Sequence, residues 1–156
     1  MGIFSSLPFL LGTGGNLLGG FLSDRLVKKY GLKIGRIGVA CASLLCASIL
    51  ISALALTKDK RGVVVLSSLG FGVMDLMLPV SWAICLDIGR EYSGIITGIM
   101  NSAGQFGGFL CTVLLGYVVR STGSYNMPLW IIAGMVAISA GVFSRIDPTK
   151  SLVSSL

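Results

Sequence analysis

The sequence contains no histidine, and charged side chains make up only 12% of its 156 residues. Soluble domains carry about 25% charged residues, because a surface in contact with water needs polar side chains. Hydrophobic residues make up 54% of this chain, even without its 22 glycines. This composition excludes a disordered protein, a coiled coil and an ordinary cytosolic enzyme. It indicates a protein that is surrounded mostly by lipid.

Motifs for catalysis and cofactor binding are also missing. The sequence has no Gly-x-Ser-x-Gly, no phosphate-binding loop and no dinucleotide fingerprint. No cysteine spacing resembles a zinc site, and the four cysteines lie in apolar stretches, where buried structural thiols are the usual interpretation. We therefore predict that the chain is not an enzyme and that it has no catalytic residues, no cofactor and no metal site.

Charged residues are clustered, and five long stretches between the clusters are almost free of charge. A helix needs about 20 apolar residues to cross a hydrocarbon core of ~30 Å. The pattern therefore predicts an all-α fold, a polytopic membrane helical bundle within a single membrane domain over residues 1–156. The five predicted transmembrane helices cover residues 3–23, 37–57, 62–86, 92–119 and 126–145.

Basic residues are distributed unequally between the two ends of this bundle. Loop 24–36, loop 87–91 and the C-terminal tail together carry eight lysines and arginines, against four on the opposite side. Cytoplasmic loops of membrane proteins are enriched in these residues. We therefore expect an integral protein of the plasma or inner membrane, with its N-terminus outside and its C-terminus in the cytoplasm. The same bias explains the net charge of +6 without a nucleic-acid partner.

The start of the chain is unusual for a complete membrane protein. No basic segment precedes the first apolar run, so a signal peptide is not indicated. Together with the odd number of helices, this leads us to expect a chain that has lost its beginning. Its expected partners are the lipid bilayer and either the missing N-terminal helices or a companion chain.

The predicted helices differ in polarity. Helices two and five are apolar almost all round, which suits the lipid-facing periphery of a bundle. Helix one contains Gly15-x-x-x-Gly19, a spacing that lets two helix backbones approach closely. Helix four repeats this spacing twice, at residues 94–98 and 104–108. It also carries a polar face formed by Thr97, Asn101, Gln105 and Thr112. This face is expected to line a cavity or to form hydrogen bonds between helices.

Asp75 is the most costly residue of the predicted membrane spans. It lies near the middle of helix three, where an ionised carboxylate is unfavourable unless it is paired, protonated or hydrated. Pro79 follows one turn later and excludes the usual backbone bond to the carbonyl of residue 75, and Trp82 lies on the same face. Two interpretations stay open. Asp75 either lines a polar pathway, as a coupling group, or locks two helices together.

Residues 20–29 read Gly-Phe-Leu-Ser-Asp-Arg-Leu-Val-Lys-Lys. This stretch resembles the signature loop of the major facilitator superfamily, which is Gly-x-x-x-Asp-Arg, then a glycine, then paired basic residues. Val27 stands where the signature usually has its second glycine. Residues 79–88 resemble the tenth helix of the anion:cation symporter family of this superfamily, and residues 93–108 resemble the eleventh. The resemblance implies a partial major-facilitator fold that corresponds to helices eight to twelve.

The resemblance also implies roles for individual residues. Ser81, Trp82 and Asn101 match positions that line the substrate site in similar proteins, and Gln105 stands where an asparagine is frequent. In the superfamily, ion pairs between cytoplasmic loops hold one conformation closed. The corresponding motif and gating residues here are Gly20, Asp24, Arg25, Lys28, Lys29, Asp87 and Glu91. We expect the basic cluster of Arg25, Lys28 and Lys29 to contact Asp87 or Glu91, unless these charges serve only to set topology.

The implied function is transmembrane transport of a small organic or inorganic anion. The chain would be the C-terminal portion of a secondary transporter, coupled to protons or sodium and working by alternating access. The alternatives are a membrane scaffold or assembly module that does not transport, a truncated inactive fragment, and a channel-like oligomer with Asp75 in its pore.

Overall fold

The computed structural model describes residues 2–150, with side chains described from residue 6 onward. Met1 and residues 151–156 of the predicted domain lie outside this part. The described residues form helices and no strand. The all-α fold class is therefore confirmed. The helices are α1 (Gly2–Tyr30), α2 (Leu32–Leu56), α3 (Lys60–Asp75), α4 (Met77–Gly89), α5 (Ser93–Thr122) and α6 (Asn126–Phe143), with a 3-10 turn at Arg90–Tyr92 between α4 and α5.

Three helical stretches of the described part are long and apolar enough to cross a membrane: residues 32–56, 60–122 and 126–143. The second has 63 residues. It would extend for ~95 Å as one straight helix, about three times the thickness of a bilayer core. Within this stretch the 3-10 turn separates α4 from α5, and the two helices are in contact.

α3 and α4 are two pieces of one predicted span. α3 ends at Asp75 and α4 begins at Met77. Pro79 has no N–H, so the carbonyl of Asp75 cannot accept the bond that would continue the helix. The N–H of Leu76 instead donates to the carbonyl of Val73 at 3.3 Å. The missing bond that Pro79 predicts thus coincides with the interruption between α3 and α4, which we call the helix break, although Leu76 itself keeps helical dihedral angles (φ −56°, ψ −31°).

α1 and α3 are in contact through their backbones. A Cβ atom on Gly15 would collide with the carbonyl oxygen of Gly72, and one on Gly19 would collide with the carbonyl oxygen of Leu76. From the other side, a Cβ on Gly72 would lie 2.9 Å from the carbonyl oxygen of Leu11. The close approach predicted for Gly15-x-x-x-Gly19 is thus confirmed.

α2 lies in the middle of the described helices rather than at their edge. It packs against α1, α3, α4 and α6. Its buried Ile37, Val39 and Ala40 contact Val80 and Ile84 of α4. Further along α2, Leu44 and Ala47 contact Val136 and Ala140 of α6. The prediction that α2 is peripheral is wrong within this chain. An apolar helix surface suits a neighbouring helix as well as it suits lipid, and alanines allow that helix to come close.

α5, in contrast to α2, lies at the edge of the described helices. None of its residues is buried, although the sequence predicts a polar helix that faces the interior. It packs along α4 and meets α6 over a smaller contact. A Cβ atom on any of its glycines, at positions 94, 98, 104, 107, 108 and 116, would find no neighbouring atom within 4 Å. The two glycine pairs of α5 therefore have the spacing for close packing but no partner in the described residues.

The 3-10 turn between α4 and α5 places Arg90 in a strained backbone conformation. Its φ is 45°, and no other non-glycine residue of the described part has a positive φ. A side chain at positive φ costs ~1 kcal/mol or more, whereas glycine adopts it freely. We expect Arg90→Gly to raise the free energy of unfolding by about 1 kcal/mol, measured from thermal or SDS unfolding in detergent micelles.

Arg120→Gly is the matched control, because Arg120 lies in the last turn of α5 and is also exposed. Glycine destabilises a helix and removes a cation from its C-terminal end, so this variant should be less stable than the parent. A loss of stability in both variants would contradict the strain at Arg90.

Candidate functional site

Arg36 joins three helices at one end of the bundle. Its Nη1 donates to Oδ1 of Asp24 at 2.7 Å and to Oγ of Ser23 at 3.0 Å, and its Nε donates to Oδ2 of Asp87 at 3.1 Å. These partners belong to α1 and α4, whereas Arg36 itself belongs to α2. The rigid guanidinium can serve several acceptors at once, which a lysine cannot do in the same geometry. We call Ser23, Asp24, Arg36 and Asp87 the Arg36 cluster.

A tight turn between α1 and α2 brings Arg36 to this position. Gly31 connects the two helices with a φ of 87°, which glycine adopts without strain. A Cβ atom on Gly35 would lie 2.5 Å from the backbone nitrogen of Val27, so only glycine permits this approach. Ser23 is fully buried there, and its hydroxyl donates to the carbonyl of Gly35 at 3.4 Å.

The structure places the predicted motif residues in different settings. Asp24 and Asp87 belong to the Arg36 cluster, and a Cβ on Gly20 would touch Pro79 at 3.8 Å. Four motif residues are exposed and lie outside the Arg36 cluster: Arg25, Lys28, Lys29 and Glu91. Asp24 is exposed as well, although it belongs to the cluster. The amine of Lys29 lies 5.1 Å from the ring centroid of Tyr30.

The predicted ion pair exists, but another cation forms it. Among the described residues, no ion pair joins Arg25, Lys28 or Lys29 to Asp87 or Glu91, and Asp87 pairs with Arg36. In this structure Arg36 thus takes the place expected for the basic cluster, and a looser proximity of that cluster to these carboxylates stays a prediction. Arg36 is the last basic residue before the charge-free run of α2, but Arg25 lies at least as deep within α1. The sequence therefore held no signal that distinguished Arg36 from the other cations of the loop.

A second ion pair at α2 involves the segment that follows α6. Nζ of Lys33 lies 3.4 Å from Oδ2 of Asp147. The hydroxyl and the N–H of Thr149 donate to Oδ1 of Asp147 at 2.6 and 3.2 Å. These hydrogen bonds, first that of the Thr149 hydroxyl and then that of its N–H, hold the pKa of Asp147 below its ordinary value, and Lys33 adds to the effect. The segment after α6 is thereby tied to the start of α2.

Asp75 contacts α1 through Asn16. Nδ2 of Asn16 donates to Oδ2 of Asp75 at 3.2 Å and to the carbonyl of Gly12 at 3.3 Å. A Cβ atom on Gly12 would lie 2.7 Å from the same carboxylate oxygen, so this glycine makes the room that the carboxylate occupies. Asp75 therefore has a hydrogen-bond partner on a second helix, as the helix-locking interpretation expects. It is partly buried and lies about halfway between the start of α3 and the end of α4.

The four predicted substrate residues do not form a closed site among the described residues. Ser81 is buried, and its hydroxyl donates to the carbonyl of Met77 in its own helix at 3.1 Å. Trp82 is 44% exposed, and Asn101 and Gln105 are exposed on α5. α4 and α5 touch at Cys85 and Met100, whose sulfur atoms lie 3.3 Å apart. The three exposed residues are thus available to a ligand or to further helices.

We expect the Arg36 cluster to stabilise the fold. Arg36→Gln removes two ion pairs and leaves the partly buried Asp87 carboxylate without its cation, so the free energy of unfolding should fall by ~1–3 kcal/mol. Thermal unfolding of the detergent-solubilised protein measures this change.

Arg25→Gln is the matched control in the same loop. Arg25 is exposed and has no ion-pair partner among the described residues, so its loss should change the stability by less than ~0.5 kcal/mol. Equal effects of the two substitutions would contradict a specific role of Arg36.

Comparison with known proteins identifies related sequences over most of this chain. The family model described as Major Facilitator Superfamily matches residues 1–112. The chain is 34% identical over 155 residues to the probable sulfoacetate transporter SauU of Cupriavidus necator, which covers 99% of this chain and 36% of that protein. It is 33% identical over 161 residues to the probable galactarate/D-glucarate transporter GudP of Bacillus subtilis, covering 97% of this chain and 34% of that protein.

A third relative is the hexuronate transporter of Bacillus subtilis, which is 27% identical over 146 residues, covering 91% of this chain and 34% of that protein. The names of these three relatives describe transporters rather than enzymes. The chain spans about one third of the length of the curated relatives it matches.

Proposed function

Because this chain belongs to the Major Facilitator Superfamily and is an integral membrane protein, we propose that it forms part of a transporter for small organic anions. The three relatives are named for a sulfonated acid, sugar diacids and sugar acids, all of which are anions at neutral pH. The chain would supply helices eight to twelve of a twelve-helix carrier, because its motif loop and its two polar helices resemble those of that half.

The open polar face of α5 carries this proposal. Asn101 and Gln105 are exposed, and the neighbouring glycines of α5 have open space where a side chain would be. Amide groups facing lipid are costly, so this face needs a water-filled cavity or additional helices. A site between this face and the helices of the other half would present Trp82, Asn101 and Gln105 to the substrate. Neutral hydrogen-bond donors there can bind a carboxylate and still release it.

The Arg36 cluster suits the conformational part of such a mechanism. It ties the ends of α1 and α4 to the start of α2 through one guanidinium. By the excess of basic residues, this end lies in the cytoplasm, with the N-terminus outside and the C-terminus inside. We propose that the cluster stabilises the cytoplasmically closed conformation by tying α1, α2 and α4 together at this end, and that it opens when these helices shift relative to one another during transport.

Coupling to an ion is the second element of the proposed mechanism. Asp75 is the one ionisable carboxylate in the middle of the described helices, and it is assigned as the coupling group for protons or sodium. Its contact with Asn16 on α1 makes it sensitive to any movement between α1 and α3. The helix break lies next to Asp75, so a movement of α4, the helix that carries Trp82, also affects this carboxylate.

Uptake of labelled organic anions into proteoliposomes tests the site. In the complete transporter that contains this chain, Trp82→Ala and Asn101→Ala should each reduce uptake at least tenfold, because each removes a direct contact with the substrate. A tenfold loss corresponds to about 1.4 kcal/mol of binding or transition-state stabilisation. Galactarate, a hexuronate and sulfoacetate are suitable substrates to compare.

Trp130→Ala and Asn126→Ala are the matched controls. Both residues are exposed and belong to α6, away from the polar face of α5. These variants should retain uptake. Retained uptake in Trp82→Ala and Asn101→Ala would refute the site assignment.

A non-transporting membrane assembly module is the second candidate, because the same open face of α5 could bind another membrane protein. The two functions differ in a measurable way. A chain that inserts stably and assembles with a partner, without uptake of any of these anions, would favour the assembly module.

A further inference from the structure

Asn16 and Asp75 make a contact between α1 and α3 whose chemistry the proposed function does not specify. We propose that the two residues form a proton-binding site, in which Asp75 carries the proton and Asn16 positions its carboxylate and sets the pH at which it titrates. This inference rests on the proposed transport function, and it names the proton, rather than sodium, as the coupled ion.

The orientation of the Asn16 amide is fixed by its two acceptors. Nδ2 donates to the carbonyl of Gly12 at 3.3 Å and to Oδ2 of Asp75 at 3.2 Å, so both N–H groups are used. The donor end of the amide therefore faces the carboxylate. A hydrogen bond to an ionised carboxylate favours the charged form over the neutral one, so Asn16 acts directly on the protonation of Asp75.

Gly12 makes this arrangement sterically possible. A Cβ atom at this position would lie 2.7 Å from Oδ2 of Asp75 and 2.8 Å from the ring of Phe71. Gly15 and Gly72 hold the two backbones in contact one turn further along. The carboxylate is thereby confined between a glycine, an amide and a phenyl ring, in a position that it reaches only while α1 and α3 stay packed.

No charged group of the described residues faces this carboxylate. α1, α2 and α4 are the elements packed against α3. Their charged side chains, and those of α3 itself, lie toward the ends of the helices: Asp24, Arg25, Lys28, Lys29, Lys33, Arg36, Lys60, Arg61 and Asp87. The other titratable groups of these helices are Tyr30, Cys41, Cys46 and Cys85, and none of them forms a hydrogen bond to Asp75 in the described part. Within the described residues, no cation therefore neutralises the charge of the Asp75 carboxylate.

The chemistry of the partners favours a proton over a metal cation. A hard cation needs several oxygen ligands, and Asp75 is the only acidic side chain in the middle of the described helices. The partner that Asn16 presents to Oδ2 is an N–H, whose positive end repels a cation. A proton needs one carboxylate oxygen only, and its binding turns the carboxylate into a neutral carboxyl group that is compatible with the membrane interior.

The site also lies where a change in the protonation of Asp75 can affect the packing of neighbouring helices. Asp75 is the last residue of α3. Pro79 cannot donate a hydrogen bond to the carbonyl of Asp75, and this missing bond separates α3 from α4. A protonated carboxyl gains an O–H donor and keeps an acceptor oxygen, so proton binding weakens the charge-assisted bond from the Asn16 amide and adds a donor that needs a new acceptor. Proton binding thus alters the junction of α1, α3 and α4.

Infrared difference spectroscopy tests the proton site directly, without transport. In the complete transporter, the C=O band of the protonated carboxyl should rise as the pH falls, and Asp75→Asn should remove it. Asp59→Asn is the matched control, because Asp59 caps the first turn of α3 outside the apolar stretch, and it should leave the band in place. Sodium at constant pH should not shift the midpoint of the titration.

Substitution of Asn16 tests its positioning role. Asn16→Leu is close in volume and removes the donor, so the midpoint should move up by about one pH unit or more. Asn16→Ser, which is too short to reach Asp75 and cannot overfill the contact, should shift the midpoint in the same direction. Thr13→Val is the control, since Thr13 is exposed on α1 and its hydroxyl donates to the carbonyl of Phe9.

The outcomes separate this inference from the proposed function. Absence of a titrating Asp75 band, or a midpoint that sodium shifts, would overturn the proton site. An unchanged midpoint in both Asn16 variants would overturn the positioning role. A titrating band that responds to Asn16, in a protein that takes up none of the anions, would refute transport and leave the proton site standing.

Discussion

The backbone contact between α1 and α3 is the constraint on which the rest of the described structure depends. Gly15 and Gly19 on one helix and Gly72 on the other leave no room for side chains between them. Lipid provides little hydrophobic drive for helices to associate, so such close packing contributes much of the association energy. The same contact brings Asp75 against Asn16 and places the helix break beside α1.

The charged end of the bundle depends on a second contact, which is made by the guanidinium of Arg36. Arg36 satisfies three acceptors from two neighbouring helices, at a position that the Gly31 turn and the close approach at Gly35 define. It links α1, α2 and α4, the helices that surround the core of Ile37, Val80 and Ile84. A change in the relative positions of these helices therefore has to break or exchange ion pairs, which gives the cluster its proposed role in gating.

α5 has a surface that the other described helices leave uncovered. Its glycines have open space where a side chain would be and its amide side chains are exposed, because α4 and α6 cover only part of its surface. The spacing of these glycines suits close packing against a further helix. The chain spans about a third of the length of its curated relatives, so additional helices are the proposed cover. On this proposal, the well-packed part, α1 to α4 with α6, holds the proton site and the gate. The open face of α5 contributes the substrate site.

The sequence alone predicted the features that depend on local chemistry. Charge-free runs of sufficient length indicated the all-α membrane fold, because each crossing must bury its polar backbone within itself. Pro79 indicated the break after Asp75, because a missing N–H acts on the residue four positions earlier. The position of Asp75 within an apolar span marked it as exceptional, because an ionised carboxylate is unfavourable there.

Only the tertiary structure decided which surfaces meet. Gly15-x-x-x-Gly19 and Gly94-x-x-x-Gly98 have the same spacing, yet the first is packed and the second is open. Hydrophobicity could not show that α2 is central, since lipid and a neighbouring helix favour the same apolar surface. Nor could it select Arg36 over Arg25 as the partner of Asp87. The five cations of that loop are equivalent in charge, and the packing of α1 and α2 against α4 decides which one reaches the carboxylate.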